Sequence, residues 1–125
     1  MSHLRLTVAA SLLIASGAAT PAAAADAVKG KIVFARCAIC HDVKPGVNKL
    51  GPSLAKLFGR KAGTVTGYSY SAAMKQYGKV WNAQSLDAYI TAPMKAVPGT
   101  KMAFAGIANP TDRANLIAYL QTATK

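Results

Sequence analysis

Cys37 and Cys40 are the only cysteines in 125 residues, and His41 follows them directly. A pair separated by two residues cannot staple a chain from end to end, so a disulfide-dense scaffold is excluded. Two thiols at this spacing near a helix end can add across the two vinyl groups of a haem. The next residue then presents its imidazole to the iron from one side. A zinc site would need two more soft ligands, and the only other Cys or His in the chain is His3, close to the N-terminus. A thioredoxin-like dithiol would sit in a βαβ pattern, which does not surround this pair. The residues therefore point to one haem c, covalent through Cys37 and Cys40. A large flat cofactor also supplies core that so short a chain otherwise lacks.

The N-terminus reads as an export signal: a positive start from Met1 to Arg5, an apolar run from Leu6 to Ala19, and the small residues Ala23, Ala24 and Ala25 before Asp26. The run falls short of the roughly 20 apolar residues a membrane span needs. The expected organisation is a signal peptide over 1-25, cleaved after Ala25, and one domain over 26-125. Export places the domain in the periplasm and leaves it unanchored after processing, with an uncleaved membrane tether as the minor alternative. His3 departs with the signal, so His41 is then the sole histidine.

In the remaining chain Gly30, Val33, Phe34 and Cys37 repeat at helical spacing, which predicts a helix over residues 27 to 38. Gly30 on that stripe allows another helix to approach closely. From Asp42 to Gly67 the chain is rich in Gly and Pro and reads as loop with one short helical turn. Ser71 to Gln76 forms a short helix. Asn82 caps a clearer one, with Leu86, Tyr89 and Ile90 on one face, ended by Pro93. Pro93 to Gly106 reads as a loop, and Asn109 and Pro110 open a last helix whose face is Leu116, Ile117, Tyr119 and Leu120. The weak alternation of Thr64 to Ser71 does not make a strand.

With one histidine, iron ligation by two imidazoles is impossible within the processed chain, and a thioether is the next expectation. Met74, inside a short helix, reads as core filler. Met94 is a possible ligand. Met102 is better placed, midway along a loop whose irregularity an iron bond would explain.

The string Gly51 to Gly63, together with Gly67-Tyr68-Ser69-Tyr70-Ser71, Trp81, Tyr89 and Pro98 to Gly106, resembles class I cytochrome c, in particular the bacterial periplasmic relatives of the mitochondrial protein. The resemblance runs in order over residues 26 to 125. It implies a small all-α cytochrome c fold, four to five helices with long loops wrapped around one covalent haem. It also implies that His41 and Met102 are the metal ligands and that the Pro52 carbonyl accepts the Nδ1 proton of His41. Arg60, Tyr70 and Trp81 would hold the haem propionates, and Tyr89 would lie beside the Met102 sulfur. The chain departs from the mitochondrial pattern at Met74, which stands for an Asn, and at Met94, which stands for a Lys on the docking face.

Two axial ligands leave no open iron position, so the expected function is one-electron transfer by a soluble, monomeric, non-enzymatic carrier between respiratory or photosynthetic partners. The alternative is a small peroxidase-like haem enzyme or sensor with a displaceable sixth ligand, but no second histidine or paired acid is present to manage oxygen chemistry. The charge balance of 15 basic to 4 acidic residues, net +11, admits nucleic acid or an anionic membrane as partner on charge alone, yet no nucleic-acid-binding motif accompanies it. Steering uses it better. Arg36, Lys44, Lys49, Lys95 and Lys101 flank the haem motif or the Met102 loop and would attract acidic redox proteins or membrane complexes such as a reductase, an oxidase, a reaction centre or a dehydrogenase.

Overall fold

Asp26 starts the first helix: its carboxylate accepts hydrogen bonds from the amides of Val28 and Lys29 at 2.9 and 3.1 Å, satisfying donors that have no partner inside the helix. The computed structural model describes Gly17 and residues 24–125, so nearly all of the expected signal peptide lies outside the described residues. Helix α1 is Ala27–Phe34, shorter than the expected 27 to 38. Beyond Phe34 the chain continues in separate turns, with Cys37 N–H donating to Phe34 O and His41 N–H to Cys37 O at 2.8 and 2.9 Å. The helical spacing of Cys37 persists because those turns still follow a helical path.

Helix α2 is Ala72–Tyr77, capped by Ser71 and closed by Gly78 at φ +67. Helix α3 is Ala83–Thr91, opened by a capping box in which Asn82 and Ser85 bond each other's backbone. Pro93 ends α3, as expected, but also opens a four-residue helix α4, Pro93–Ala96, where the sequence reading placed only loop. The ring presets φ for a first helical position and sacrifices an amide that would be unpaired there. Helix α5, Pro110–Ala123, begins on the Asn109 side chain, with Asp112 in its first turn. The expected helical turn between Asp42 and Gly67 does not form a helix. The described residues contain no strand, only an isolated antiparallel bridge between Lys61 and Val80.

The frame is the crossing of α1 and α5. A Cβ on Gly30 would overlap the backbone carbonyl of Asn115, so only glycine permits this approach. Asp26 N–H donates to Asn115 Oδ1 at 2.8 Å, and the rings of Phe34 and Tyr119 lie 5.2 Å apart. Arg113 ties α5 to α3 through Asp87 at 2.7 Å and also donates to the carbonyls of Ile107 and Ala108. Leu57, Ala62, Val97 and Ile107, all from outside the longer helices, are as deeply buried as Leu116 and Leu120 of α5. Loops thus supply much of the core. No helix among the described residues is long and apolar enough to cross a membrane.

Candidate haem site

The turns after α1 deliver Cys37, Cys40 and His41 in succession. Both cysteines are free thiols and half-buried. Burial pushes the Cys37 thiol up to about 11, against the lowering influence of Arg36. It therefore stands protonated at neutral pH. His41 Nδ1 lies 2.8 Å from the Pro52 carbonyl oxygen. A carbonyl can only accept, so Nδ1 carries the proton and Nε2 keeps its lone pair for a metal. Burial lowers the His41 pKa, opposed by the Pro52 bond and assisted by Lys49 and Arg60. The imidazole is thereby held neutral, as a ligand must be.

The loop after His41 is folded back on the motif. Gly51 N–H donates to Cys40 O at 2.8 Å, and a Cβ on Gly51 would run into the His41 ring. The glycine is the cradle against which the imidazole rests. Lys49 Nζ donates to Ala38 O at 2.6 Å, and the Tyr68 hydroxyl to Leu50 O at 2.7 Å. Ser53, almost fully buried, accepts from Ala55 and donates to Lys44 O, while its own amide bonds Asn48. Two free thiols, one oriented imidazole with an open Nε2 and a glycine-backed ring fit a covalent haem.

The other expected residues are linked to one another and to the loops that carry them. Arg60 and Trp81 are joined through their backbones, Trp81 N–H donating to Arg60 O at 2.9 Å. The Arg60 guanidinium bonds the Ala55 carbonyl, and burial lowers its pKa while Tyr70 raises it. The Tyr70 hydroxyl accepts from the Val65 amide at 3.1 Å; burial raises its pKa, against that bond and Arg60. Tyr89 packs on Trp81 with ring centroids 5.2 Å apart. Its hydroxyl lies 3.0 Å from Thr100 Oγ1, which accepts from the Met102 amide at 3.3 Å. Met102 packs against the core, Met74 is buried, and Met94 is 57% exposed on α4.

Two contributors, Thr100 and Tyr77, were not singled out from sequence, and a third, Lys101, was expected only as a rim charge. Thr100 links Tyr89 to the Met102 loop. Lys101 straps that loop to the earlier Gly67 to Ser71 segment by donating to Ser69 O at 2.7 Å. The Tyr77 ring packs tilted against both Trp81 and Tyr89, with centroids 5.8 and 6.3 Å away. Only the position of Tyr77, four residues before the single tryptophan, carried any signal.

The family model described as cytochrome c matches residues 27–124. A cytochrome c of Cochliobolus lunatus is 53% identical over 80% of this chain and 94% of its own length. A cytochrome c2 of Rhodomicrobium vannielii is 44% identical over 98% of this chain and 97% of its own. A cytochrome c2 of Blastochloris viridis is 43% identical over 88% and 87%.

Proposed function

Because the chain belongs to the cytochrome c family, and so carries one c-type haem bound through Cys37 and Cys40, we propose that it is a soluble periplasmic electron carrier whose iron is ligated by His41 and Met102. When bound, the haem supplies a one-electron iron couple, whose ferrous state a thioether ligand favours. The chain's residues hold that couple still. Pro52 and Gly51 fix the His41 ring from its edge and its face. Thr100 and Lys101 restrain the loop that carries Met102. Arg60, Tyr70 and Trp81 are assigned to the propionates, and Tyr89 to the Met102 side.

The observation that carries this reading is the bond from His41 Nδ1 to Pro52 beside two free thiols. Ligation of the iron by both His41 and Met102 would leave it no place for a substrate, which would separate a carrier from a peroxidase-like enzyme or sensor. Export and cleavage after Ala25 follow from the basic start, apolar run and small residues of the N-terminal segment. The Rhodomicrobium vannielii relative aligns with most of that segment. Acidic redox proteins or membrane complexes are the expected partners, with a monomeric carrier steered by Arg36, Lys44, Lys49, Lys95 and Lys101.

Separate Met102→Ala and Met94→Ala holoproteins test the ligand set. The weak far-red sulfur-to-iron charge-transfer band of the oxidised protein is expected to vanish in the first and survive in the second. The opposite pattern would overturn the assignment. N-terminal sequencing of the periplasmic form is expected to begin at Asp26.

A further inference from the structure

Asn115 lies in the interior of α5, beside the buried Leu116 and Ile117, and is itself only 6% exposed. Asparagine is a poor residue for a helix interior, because its amide competes with the backbone for hydrogen bonds. Burying that amide without a partner would add a desolvation penalty. The Asn115 Oδ1 accepts one hydrogen bond among the described residues, from the backbone N–H of Asp26 at 2.8 Å. A buried polar side chain on α5 is thus devoted to the nitrogen at the start of α1.

Every polar group of Asp26 is engaged at this junction. Its carboxylate accepts from the Val28 and Lys29 amides, its carbonyl accepts from the Gly30 amide at 2.9 Å, and its own N–H goes to Asn115. The two residues before it differ. Ala24 and Ala25 are exposed, belong to no helix and make no backbone hydrogen bond among the described residues. The bonded framework of the domain therefore starts at the Asp26 nitrogen, the atom that cleavage after Ala25 would set free.

We propose that Asn115 is the receptor for the N-terminal ammonium created when the export signal is removed, so that processing itself tightens the crossing of α1 and α5. The proposal rests on cleavage after Ala25. Hydrolysis adds water across the Ala25–Asp26 bond: the hydroxyl goes to the Ala25 acyl carbon and a hydrogen to the Asp26 nitrogen. Near neutral pH the new acid's proton then moves to the amine. With the nitrogen still 2.8 Å from Asn115 Oδ1, the donor changes from a neutral amide to a charged ammonium, and charge-assisted bonds are the stronger kind. The ammonium also meets the positive end of α1, which opposes it. The Asp26 carboxylate, at the N-cap, offsets that repulsion from within the same residue. Without the Asn115 oxygen the stabilising contact would be gone and the repulsion would remain.

Two holoproteins, one beginning at Asp26 and one at Ala24, carry the same net charge and test the receptor by denaturant unfolding near neutral pH. The unfolding equilibrium constant is expected to be about fivefold smaller for the chain that begins at Asp26. Asn115→Ala in both chains is expected to abolish or reverse that advantage. Equal stability of the two parent chains, or an advantage that survives Asn115→Ala, would overturn the proposal. A second measurement needs no substitution. A broad-specificity aminopeptidase, followed by intact mass, is expected to remove Ala24 and Ala25 from the longer holoprotein and to stop at Asp26, while a free peptide of residues 24–34 is trimmed through. Trimming of the holoprotein past Asp26 at the peptide's rate would show that the terminus is not held and would overturn the proposal. A natural N-terminus other than Asp26, found by sequencing the exported protein, would refute the cleavage reading itself, a distinct outcome.

Discussion

Replacing Gly30 by Ala adds one methyl group at the crossing of α1 and α5. On helix propensity alone the change would stabilise α1 by about 1 kcal/mol. The structure reverses the sign. The new Cβ would overlap the Asn115 carbonyl and stand 2.9 Å from Tyr119 Cβ, and the first obstacle is main chain, which cannot rotate aside. The helices must separate, loosening the Phe34–Tyr119 contact and the bond from Asp26 to Asn115. Overpacking of this kind costs about 1–3 kcal/mol. A backbone obstacle with two attached contacts belongs at or above the upper end, leaving a net loss of about 2 kcal/mol after the propensity gain. In a domain of this length that lowers the melting temperature by roughly 10 °C. Gly46→Ala is the comparison: its Cβ meets nothing, and only its φ of +73 is penalised, by about 1 kcal/mol. Guanidinium unfolding of both holoproteins, at unchanged slope, is expected to rank Gly30→Ala as the less stable. A Gly30→Ala protein as stable as the parent would refute the argument from close approach.

Two further substitutions probe backbone and site. Lys56 holds a left-handed φ of +54 while its amide donates to Thr124 O, so Lys56→Gly is expected to raise stability by about 1 kcal/mol in urea unfolding. Gly51→Ala would drive a methyl group into the His41 ring; the expected result is a mixed or high-spin ferric spectrum, and an unaltered low-spin spectrum would show that the ring can yield.

Helix positions were legible where a local device sets them. Asp26, Asn82 and Asn109 cap the helices that the apolar spacing predicts, and Pro110 sits at the expected start of the last one. Within the candidate site, the Cys37 to His41 string and the Gly51 to Gly63 loop are the legible parts, and Gly51 packs the loop against the His41 ring. Side chains whose partners are distant in sequence were less accessible. Lys101 meets Ser69 across 32 residues and Asp26 meets Asn115 across 89, and no periodicity reports such pairs. Helix α4 escaped because four residues carry too little pattern, and its proline was read as a stop when it also serves as a start.

Those long-range bonds change how the basic rim should be probed. Lys49 is held on Ala38 O at 2.6 Å, Lys101 on Ser69 O at 2.7 Å, and the Arg36 guanidinium lies 5.7 Å from the Phe104 ring centroid. These cations stand in fixed positions relative to Cys37 and Met102, which favours a directional field over a diffuse one. Reversing Lys49 or Lys101 would also remove that hydrogen bond, so a slower rate would not separate lost charge from a loosened loop. No such bond is found for the side chains of Lys44 or Lys95 among the described residues. Lys44→Glu/Lys95→Glu is therefore expected to slow association with an acidic partner and flatten its salt dependence while leaving the unfolding midpoint and redox potential nearly unchanged. Lys125→Glu, beyond the end of α5, controls for total charge. Equal losses per charge from Lys125→Glu would mean that net charge alone governs encounter and that the rim is not a docking face.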